Sequence, residues 1–249
     1  MDQELIDKLF SKSELWYNEN IHKNLLSKIL SVLVDRKAER LLNQDEYKVQ
    51  STINDFISSH LRNTPFSADR EWKYIDNAVI HTLSSAPMVL YEVKTFIKNH
   101  ENNINPKSIF KDILKLAIKK KEYPYIEAYM LIAGKSKVPK NALENQVLQL
   151  PNKFTDIHNR SSVELELSFF EKLKIDKKTI ENANKLKIDK VSVSPSRWRN
   201  YDGMCAISWR INKLWPGLFA STLPKPHKPT LNQSFVKELA KPTHLDKLL

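Results

Sequence analysis

Apolar residues recur at helical spacing in three segments near the start of the chain. Residues 2–16 and 21–36 each carry an apolar stripe, and residues 45–62 carry another that includes Ile53 and Ile57. Side chains three or four positions apart lie on one face of a helix, so we predict an amphipathic helix for each segment. The stretch LRNTPFSADR, which overlaps the end of the third segment, is predicted to be a connection.

The hydrophobic period changes to two after this connection. WKYIDNAVI (72–80) alternates, HTLSSAP (81–87) has the composition of a turn, and MVLYEVKTF (88–96) is rich in β-branched and aromatic residues. The pattern predicts strand, turn, strand. Residues 87–99 also fit a helical stripe with Pro87 in its first turn, and period alone does not separate a short strand from a helix.

The middle of the chain continues with a helix and a strand. Residues 107–121 have an apolar face and a second face lined by lysines, and residues 123–134 form an apolar run that ends at a glycine. We predict an amphipathic helix followed by a buried strand. Residues 139–150 and 162–174 are predicted to be helical as well.

The C-terminal part is dense in basic residues and ends in a proline-punctuated tail. Residues 194–217 are rich in tryptophan and arginine. The hexapeptide KLKIDK occurs at 172–177 and again at 185–190 without a wider period, which indicates chance and not a solenoid. The predicted regions are an N-terminal helical region (1–44), a core (45–134), a basic, mainly helical region that packs on the core (135–217) and an extended tail (218–249).

Composition indicates a globular chain in a reducing compartment. Hydrophobic residues make up 41% of the 249 residues and only three residues are glycine, so a folded core with many helices is expected. The single cysteine, Cys205, permits neither an internal disulfide nor a cysteine-based zinc site. The start of the chain is unlike a secretory signal, and no apolar run reaches the roughly 20 residues of a membrane span. We therefore expect a cytoplasmic protein.

Positive charge is concentrated in the C-terminal part. The net charge of +11 divides into −2 for residues 1–105, which hold 13 Lys/Arg and 15 Asp/Glu, and +13 for residues 106–249, which hold 27 and 14. Such a basic half suits a polyanionic partner, of which nucleic acid is the commonest, and it equally suits a lysine-rich solvated surface. No glycine-rich phosphate loop and no HExxH spacing occurs, so nucleotide hydrolysis and that class of metal site are not indicated.

Two opposite charges lie inside the apolar run 88–96. In a strand, alternate side chains share a face, so Glu92 and Lys94 point to one side, whereas a helix would place them about 200° apart. A hairpin pairs residues whose numbers add up to a constant. Asp76 and Glu92 add up to 168, which places the centre at Ser84, inside the predicted turn, so the two carboxylates come out roughly opposite each other.

Facing carboxylates repel unless a cation or a shared proton lies between them. Two hard oxygen ligands at short range suit Mg²⁺, with Mn²⁺ as the alternative, and leave positions for water and a substrate phosphate. A lysine beside the metal holds or deprotonates the attacking water and offsets phosphate charge. The pattern therefore predicts a metal site for phosphodiester chemistry.

An aspartate, fifteen residues and then Glu-x-Lys on an apolar strand resemble the PD-(D/E)XK nuclease superfamily, which includes many restriction endonucleases. The resemblance covers residues 45–134 and includes the pattern that begins at Asp112 in the following helix. It implies an α/β fold of the helix-rich α+β kind. The restriction-endonuclease-like core would run helix, three strands, helix, strand, with added N- and C-terminal helices.

The same resemblance assigns roles to individual residues. Asp76 and Glu92 are implied as metal ligands together with the carbonyl of Val93, and Lys94 is implied as the catalytic lysine. Many members of the superfamily add a glutamate from the first helix of the core, and Glu46 is the candidate in this chain.

Two sets of basic residues are candidates to hold nucleic acid. The lysines of the predicted helix 107–121 form either a solvated face or a track for phosphates. The arginines of 194–217 lie among aromatic residues that either stack on bases or pack on the core. The candidates are Lys111, Lys115, Lys119, Arg197, Arg199, Arg210 and Lys213.

The predicted function is that of a metal-dependent DNA endonuclease, in restriction, defence or mobile-element biology. DNA is the expected partner, RNA is the alternative substrate, and a homodimer or larger complex is an expected assembly. The competing hypothesis is a non-catalytic, mainly helical nucleic-acid-binding or adaptor protein. A third hypothesis is a nuclease-like fold that serves as a protein-interaction module.

Overall fold

A computed structural model describes residues 17–39, 45–82, 85–96, 106–135, 162–201 and 204–212. A short π-helical turn, Asn18–His22, leads into the first helix. The helices are α1 (Lys23–Glu39), α2 (Asp45–His60), α3 (Pro106–Glu122), α4 (Leu167–Lys172) and α5 (Lys177–Lys185). The strands are β1 (Phe66–Trp72), β2 (Ile75–His81), β3 (Pro87–Phe96), β4 (Glu127–Lys135), β5 (Val163–Glu166), β6 (Lys190–Tyr201) and β7 (Met204–Ile211).

The seven strands form one sheet in the order β1-β2-β3-β4-β7-β6-β5. Neighbouring strands are antiparallel except β3 and β4, which are parallel. A parallel pair needs a long crossover connection, and the chain between β3 and β4 contains the 17-residue helix α3. The mixed α/β class predicted from the sequence is confirmed.

Two hydrophobic clusters cover the two faces of the sheet. Leu90 and Met130 belong to the cluster that packs against α3, α4 and α5, where Ile113 is fully buried. Tyr91 and Leu131, their neighbours in sequence, belong to the cluster that packs against α1 and α2. The sheet is therefore the middle layer of three, and each central strand is buried on both faces.

Residues 88–96 are a strand, which confirms the strand interpretation and contradicts the helical alternative. β3 pairs with β2 in the predicted register, because opposed residues such as Asn77↔Tyr91 and Ala78↔Leu90 have numbers that add up to 168. The strand also explains the apolar composition of the run, since its two faces lie in different hydrophobic clusters.

The first strand of the sheet lies where the sequence predicts a connection. β1 is antiparallel to β2 up to the pair Trp72↔Ile75, so the hairpin is closed by two residues. These two residues, Lys73 and Tyr74, have positive φ angles of 45° and 70°. Turns of this kind are usually marked by asparagine and glycine, so this hairpin carries no such sequence signal.

The basic region 135–217 is not mainly helical in the ranges that the structure describes, which corrects the prediction. β6 and β7 form a long hairpin, and β7 pairs with β4, so the region shares one sheet with the core. Residues 162–174, predicted as one helix, contain β5 followed by α4. Asp202-Gly203, between β6 and β7, is a residue pair that favours a hairpin turn, and it lies in a segment rich in arginine and aromatic residues.

The two copies of KLKIDK form the same kind of helix C-cap, although the first copy ends where α5 begins and the second ends where β6 begins. Each copy follows a helix and ends it with a lysine in the left-handed region, Lys174 and Lys187, both at φ 54°. In the first copy, the amide of Ile175 donates to the carbonyl of Phe170 and the amide of Lys174 donates to that of Glu171. The second copy repeats both bonds after α5, and this pair of bonds defines a Schellman cap.

Replacing Lys187 with glycine is expected to stabilise the protein by roughly 0.5–1 kcal/mol, because glycine adopts a positive φ without a Cβ penalty. Lys174→Gly should give a similar gain, since its conformation is the same. Urea unfolding measures both changes. Lys185→Gly, in the last turn of α5, is the control and should lower stability, because glycine is a poor helix former. A loss of stability in Lys187→Gly would contradict the assigned cap.

Several predicted elements lie outside the described residues, namely the helices at 2–16 and 139–150 and the tail 218–249. Lys213 and Ser84 also fall outside them. Within the ranges described, no helix combines the length and the apolar character needed to cross a membrane.

Candidate functional site

β2 and β3 separate at the position of the predicted charges. Their backbone pairing ends at Asn77↔Tyr91, although β2 begins two residues before Asn77, at Ile75, and β3 continues to Phe96. Over this stretch β2 remains paired with β1, and β3 remains paired with β4. The two strands therefore leave a gap between them, and backbone groups that face the gap need other partners.

Asp76 provides one of these partners. Its Oδ2 atom accepts a hydrogen bond of 2.7 Å from the backbone amide of Val93, so a side chain replaces the missing bond between the strands. The amide and the carbonyl of one strand residue point to the same edge of the strand, so the carbonyl of Val93 faces the gap as well. The half-buried carboxylate of Asp76 and this carbonyl thus meet at the divergence.

Glu92 lies next to Val93 and is buried, with a relative exposure of 1%. Burial raises the pKa of its carboxyl group well above the usual value, the nearby charges of Asp76 and Asp112 raise it further, and Lys115 opposes the rise. A buried carboxylate beside two others is unfavourable unless positive charge lies close to it.

Two lysines bring that positive charge. The Nζ atom of Lys115 lies 2.5 Å from Oε1 of Glu92 and 3.4 Å from Oδ1 of Asp112, and Nζ of Lys94 lies 3.2 Å from Oδ2 of Asp112. Burial alone would lower the pKa of Lys115, but Glu92 and Asp112 outweigh burial and raise it. We call these side chains the carboxylate–lysine cluster: Asp76, Glu92, Lys94, Asp112 and Lys115.

Helix α3 contributes two members of the cluster because its apolar face packs on the sheet beside β3. Asp112 and Lys115 are three positions apart, a spacing that places both side chains on the same side of the helix. Lys115 also donates a hydrogen bond of 2.8 Å to the carbonyl of Tyr74, in the turn between β1 and β2. The cluster therefore connects α3, β3 and the β1–β2 turn.

The oxygen atoms available to a divalent cation are the carboxylates of Asp76 and Glu92 and the carbonyl of Val93. Hard oxygen donors of this kind suit Mg²⁺, which completes its coordination with water and phosphate. Burial and the neighbouring charges of Asp76 and Asp112 raise the pKa of Glu92, and a bound cation would favour its charged form. Among the described residues, no set of three or more His, Cys, Asp or Glu side chains is arranged to hold a metal ion.

Glu46 lies in the first turn of α2, and its side chain is outside the part that the structure describes. α2 packs on the face of the sheet opposite to Glu92 and Lys94, since its buried residues belong to the other hydrophobic cluster. The role of Glu46 stays a prediction.

The three lysine candidates on α3 have carboxylate partners. Lys111 lies 3.0 Å from Oδ2 of Asp176, Lys119 lies 2.7 Å from Oε2 of Glu122, and Lys115 belongs to the carboxylate–lysine cluster. Lys115 therefore faces the candidate site. Contact of these residues with nucleic acid stays a prediction.

The arginine candidates lie on β6 and β7. Arg210 pairs with the buried carboxylate of Glu127, and its side chain is 39% exposed. Arg197 and Arg199 occupy β6 opposite Ser208 and Ala206 of β7, and their side chains are outside the described residues. Their role in binding nucleic acid stays a prediction.

Reasoning from the sequence did not place Asp112 and Lys115 in the site. The sequence indicated Asp112 only as part of a pattern typical of a nuclease helix. It indicated Lys115 only as one of a row of lysines on one face of that helix. The usable signal was the spacing of three between an aspartate and a lysine on a helix that packs beside the Glu-x-Lys strand.

Comparison of this chain with models of protein families, with curated proteins and with solved structures finds no match. The fold and the site define a mixed α/β protein with a carboxylate–lysine cluster at a strand divergence. Its function is inferred from the chemistry of that cluster.

Replacing Glu92 with glutamine is expected to stabilise the metal-free protein at pH 7–8. The pKa of Glu92 is raised in the folded state, so its contribution to stability is fully present below the unfolded value of about 4.5 and is lost as the pH rises. The uncharged amide avoids this loss, and we expect the thermal midpoint to rise by a few degrees, roughly the effect of 1 kcal/mol.

Differential scanning calorimetry with and without Mg²⁺ measures this effect. If Glu92 binds the ion, Mg²⁺ should raise the midpoint of the wild type and leave that of Glu92→Gln nearly unchanged, because the variant lacks this carboxylate. If Glu92→Gln unfolds at a lower temperature than the wild type in EDTA, the charged form of Glu92 is not unfavourable in the folded state, and the assigned effect of burial and neighbouring charge is wrong.

Proposed function

We propose that this chain is a metal-dependent DNA endonuclease with a restriction-endonuclease-like core. The observation that carries the proposal is the divergence of β2 and β3, which brings Asp76 beside Glu92 with Lys94 on the same face of β3. The order α2, β1, β2, β3, α3, β4 supports it, because the resemblance implies a core of helix, three strands, helix, strand.

Asp76, Glu92 and the carbonyl of Val93 would hold Mg²⁺, or Mn²⁺ in its place. When bound, such an ion supplies a nucleophilic water at neutral pH and offsets negative charge on the phosphate. Lys94 would hold that water or an oxygen of the phosphate through its three N–H donors. Its side chain is 21% exposed, so a substrate can reach it from solvent.

Asp112 would position Lys94. The two side chains lie on different elements, and the 3.2 Å ion pair between them holds the ammonium group on the Glu92 face of β3. A long lysine side chain has many rotamers, and a partner that is 6% exposed restricts them before substrate arrives. Asp112 is therefore proposed as a positioning residue and Lys94 as the catalytic residue.

A non-catalytic nucleic-acid-binding protein is the second candidate function. The observation that favours it is the 2.5 Å ion pair between Lys115 and Glu92, since a lysine at this carboxylate balances its charge without a metal. The net charge of +11 suits binding to a polyanion in either case. The mainly helical form of this hypothesis is contradicted by the seven-stranded sheet.

Incubation of the purified protein with supercoiled plasmid DNA separates the two functions. Nicking or linearisation that requires Mg²⁺ or Mn²⁺ and stops in EDTA is the expected result for the endonuclease. Binding that weakens steeply with salt, ignores EDTA and leaves the plasmid intact is the result for the alternative. An equal amount of RNA in a parallel reaction distinguishes the substrate classes.

A further inference from the structure

The turn between β1 and β2 has a backbone conformation that its residues disfavour. Lys73 and Tyr74 have φ angles of 45° and 70°, and Glu71, two residues before Lys73, has a φ angle of 57°. A positive φ is uncommon for a bulky residue, and each such residue costs roughly 1–3 kcal/mol. Asparagine and glycine would form the same turn without this cost.

Packing accounts for the side chain of Lys73 and not for that of Tyr74. The Nζ atom of Lys73 donates a 3.0 Å hydrogen bond to the hydroxyl of Tyr123 and lies 4.8 Å from the ring centroid of Trp72. Tyr74 is 88% exposed, so its ring lies in solvent. Neither turn preference nor burial explains an aromatic residue at this position.

The backbone of Tyr74 is fixed directly on the candidate site. Its carbonyl accepts the hydrogen bond from Lys115, whose ammonium group lies at Glu92. Two residues later, Asp76 enters the gap between β2 and β3. The residue that carries the exposed ring is therefore held by its backbone against a member of the carboxylate–lysine cluster.

We propose that Tyr74 stacks on an unpaired nucleobase next to the phosphate that enters the cluster; this inference rests on the proposed function. An aromatic ring with a free face in solvent is the usual platform for a base in single-stranded nucleic acid. A base within an intact duplex has no free face, so the preferred substrate carries unpaired nucleotides, as in a gap, a flap or a frayed end.

The proposal is tested by fluorescence anisotropy with two DNA probes, a blunt duplex and the same duplex with a single-stranded gap. Ca²⁺ replaces Mg²⁺ so that the probes are not cleaved. Tyr74→Ala should weaken binding of the gapped probe about tenfold, within the roughly 5- to 150-fold expected of one stacked base, and change binding of the blunt duplex less than twofold. Tyr74→Phe keeps the ring and should bind as the wild type does.

Tyr47→Ala is the matched control, because Tyr47 is also exposed, at 57%, but lies on α2 under the guanidinium of Arg70. Its affinities should stay within twofold of the wild type. Tyr74→Gly should raise the thermal midpoint and weaken binding of the gapped probe together. A merely structural role for Tyr74 would not move these two readouts in opposite directions.

The inference is overturned if Tyr74→Ala binds the gapped probe as the wild type does, if both probes lose affinity equally, or if the wild type binds neither probe. Each of these results can accompany Mg²⁺-dependent plasmid cleavage, in which case the endonuclease proposal stands alone. Conversely, the protein could prefer the gapped probe in a Tyr74-dependent manner and yet cleave no nucleic acid. Tyr74 would then be a binding residue, and the endonuclease proposal would be wrong.

Discussion

Asp76→Asn and Glu92→Gln are each expected to reduce Mg²⁺-dependent DNA cleavage about a thousandfold. Each substitution replaces a proposed charged oxygen ligand by a neutral one of the same shape, and metal-ion charge stabilisation is worth several kcal/mol in such reactions. A loss of about 4 kcal/mol corresponds to a factor of roughly a thousand in rate. Initial rates of plasmid nicking at saturating Mg²⁺ measure the effect.

Lys94→Ala should also lower the rate, by roughly 10²–10⁴-fold, because it removes the side chain that would act on the water or the phosphate. Asp112→Asn should lower it less, since the amide still accepts a hydrogen bond from Lys94. Glu164→Gln, which alters an exposed pair with Lys190, is the control and should cleave at the wild-type rate. Equal rates for the wild type and Lys94→Ala would exclude the proposed mechanism.

The same variant of Glu92 is expected to be more stable and less active than the wild type. Burial and the neighbouring carboxylates make the charged form unfavourable in the absence of metal. A residue that lowers the stability of its own fold persists when function needs it there. Opposite changes in thermal midpoint and cleavage rate would therefore separate a functional carboxylate from a structural one.

Part of the candidate site could be predicted from the sequence, because a single secondary-structure assignment fixed the positions of three of its residues. Treating 88–96 as a strand placed Glu92 and Lys94 on one face and put Asp76 in register, and the pairing between β2 and β3 agrees. The gap itself was not predictable, because no residue type marks the point where two strands separate. The gap arises because β2 stays paired with β1 and β3 stays paired with β4 where the two strands separate.

The β1–β2 hairpin and the β6–β7 hairpin were not predicted from the sequence, for different reasons. Lys73-Tyr74 occupies a turn whose usual residues are asparagine and glycine, so local preference argued against the structure that forms. Asp202-Gly203 is a favourable turn pair, so a hairpin signal is present in the sequence between β6 and β7. Only the first case is a conflict between local preference and fold, and it lies at the candidate site.

Substitution of a second buried carboxylate, Glu127, is expected to have the largest effect on stability. Glu127 is 2% exposed and begins β4, where its Oε1 lies 3.4 Å from Nζ of Lys120 and its Oε2 accepts a hydrogen bond from Arg210. Lys120 is itself 3% exposed and donates a 2.6 Å hydrogen bond to the carbonyl of Ile126. Two basic groups from different elements therefore share one buried carboxylate.

Glu127→Gln should lower the free energy of unfolding by about 3–5 kcal/mol, because it leaves the ammonium of Lys120 buried beside a neutral partner. Urea denaturation should show a lower midpoint with an unchanged slope. Glu164→Gln is the matched control, since the Lys190–Glu164 pair is more than half exposed and should contribute less than about 1 kcal/mol.

The double variant Lys120→Met/Glu127→Leu should recover much of the lost stability. It removes both buried charges, and the guanidinium of Arg210, at 39% exposure, can be hydrated by solvent. The coupling energy from the double-mutant cycle measures how strongly the two groups depend on each other. Additive effects of the single substitutions would mean that Lys120 and Glu127 are stabilised independently, and the shared buried network would then be the wrong description.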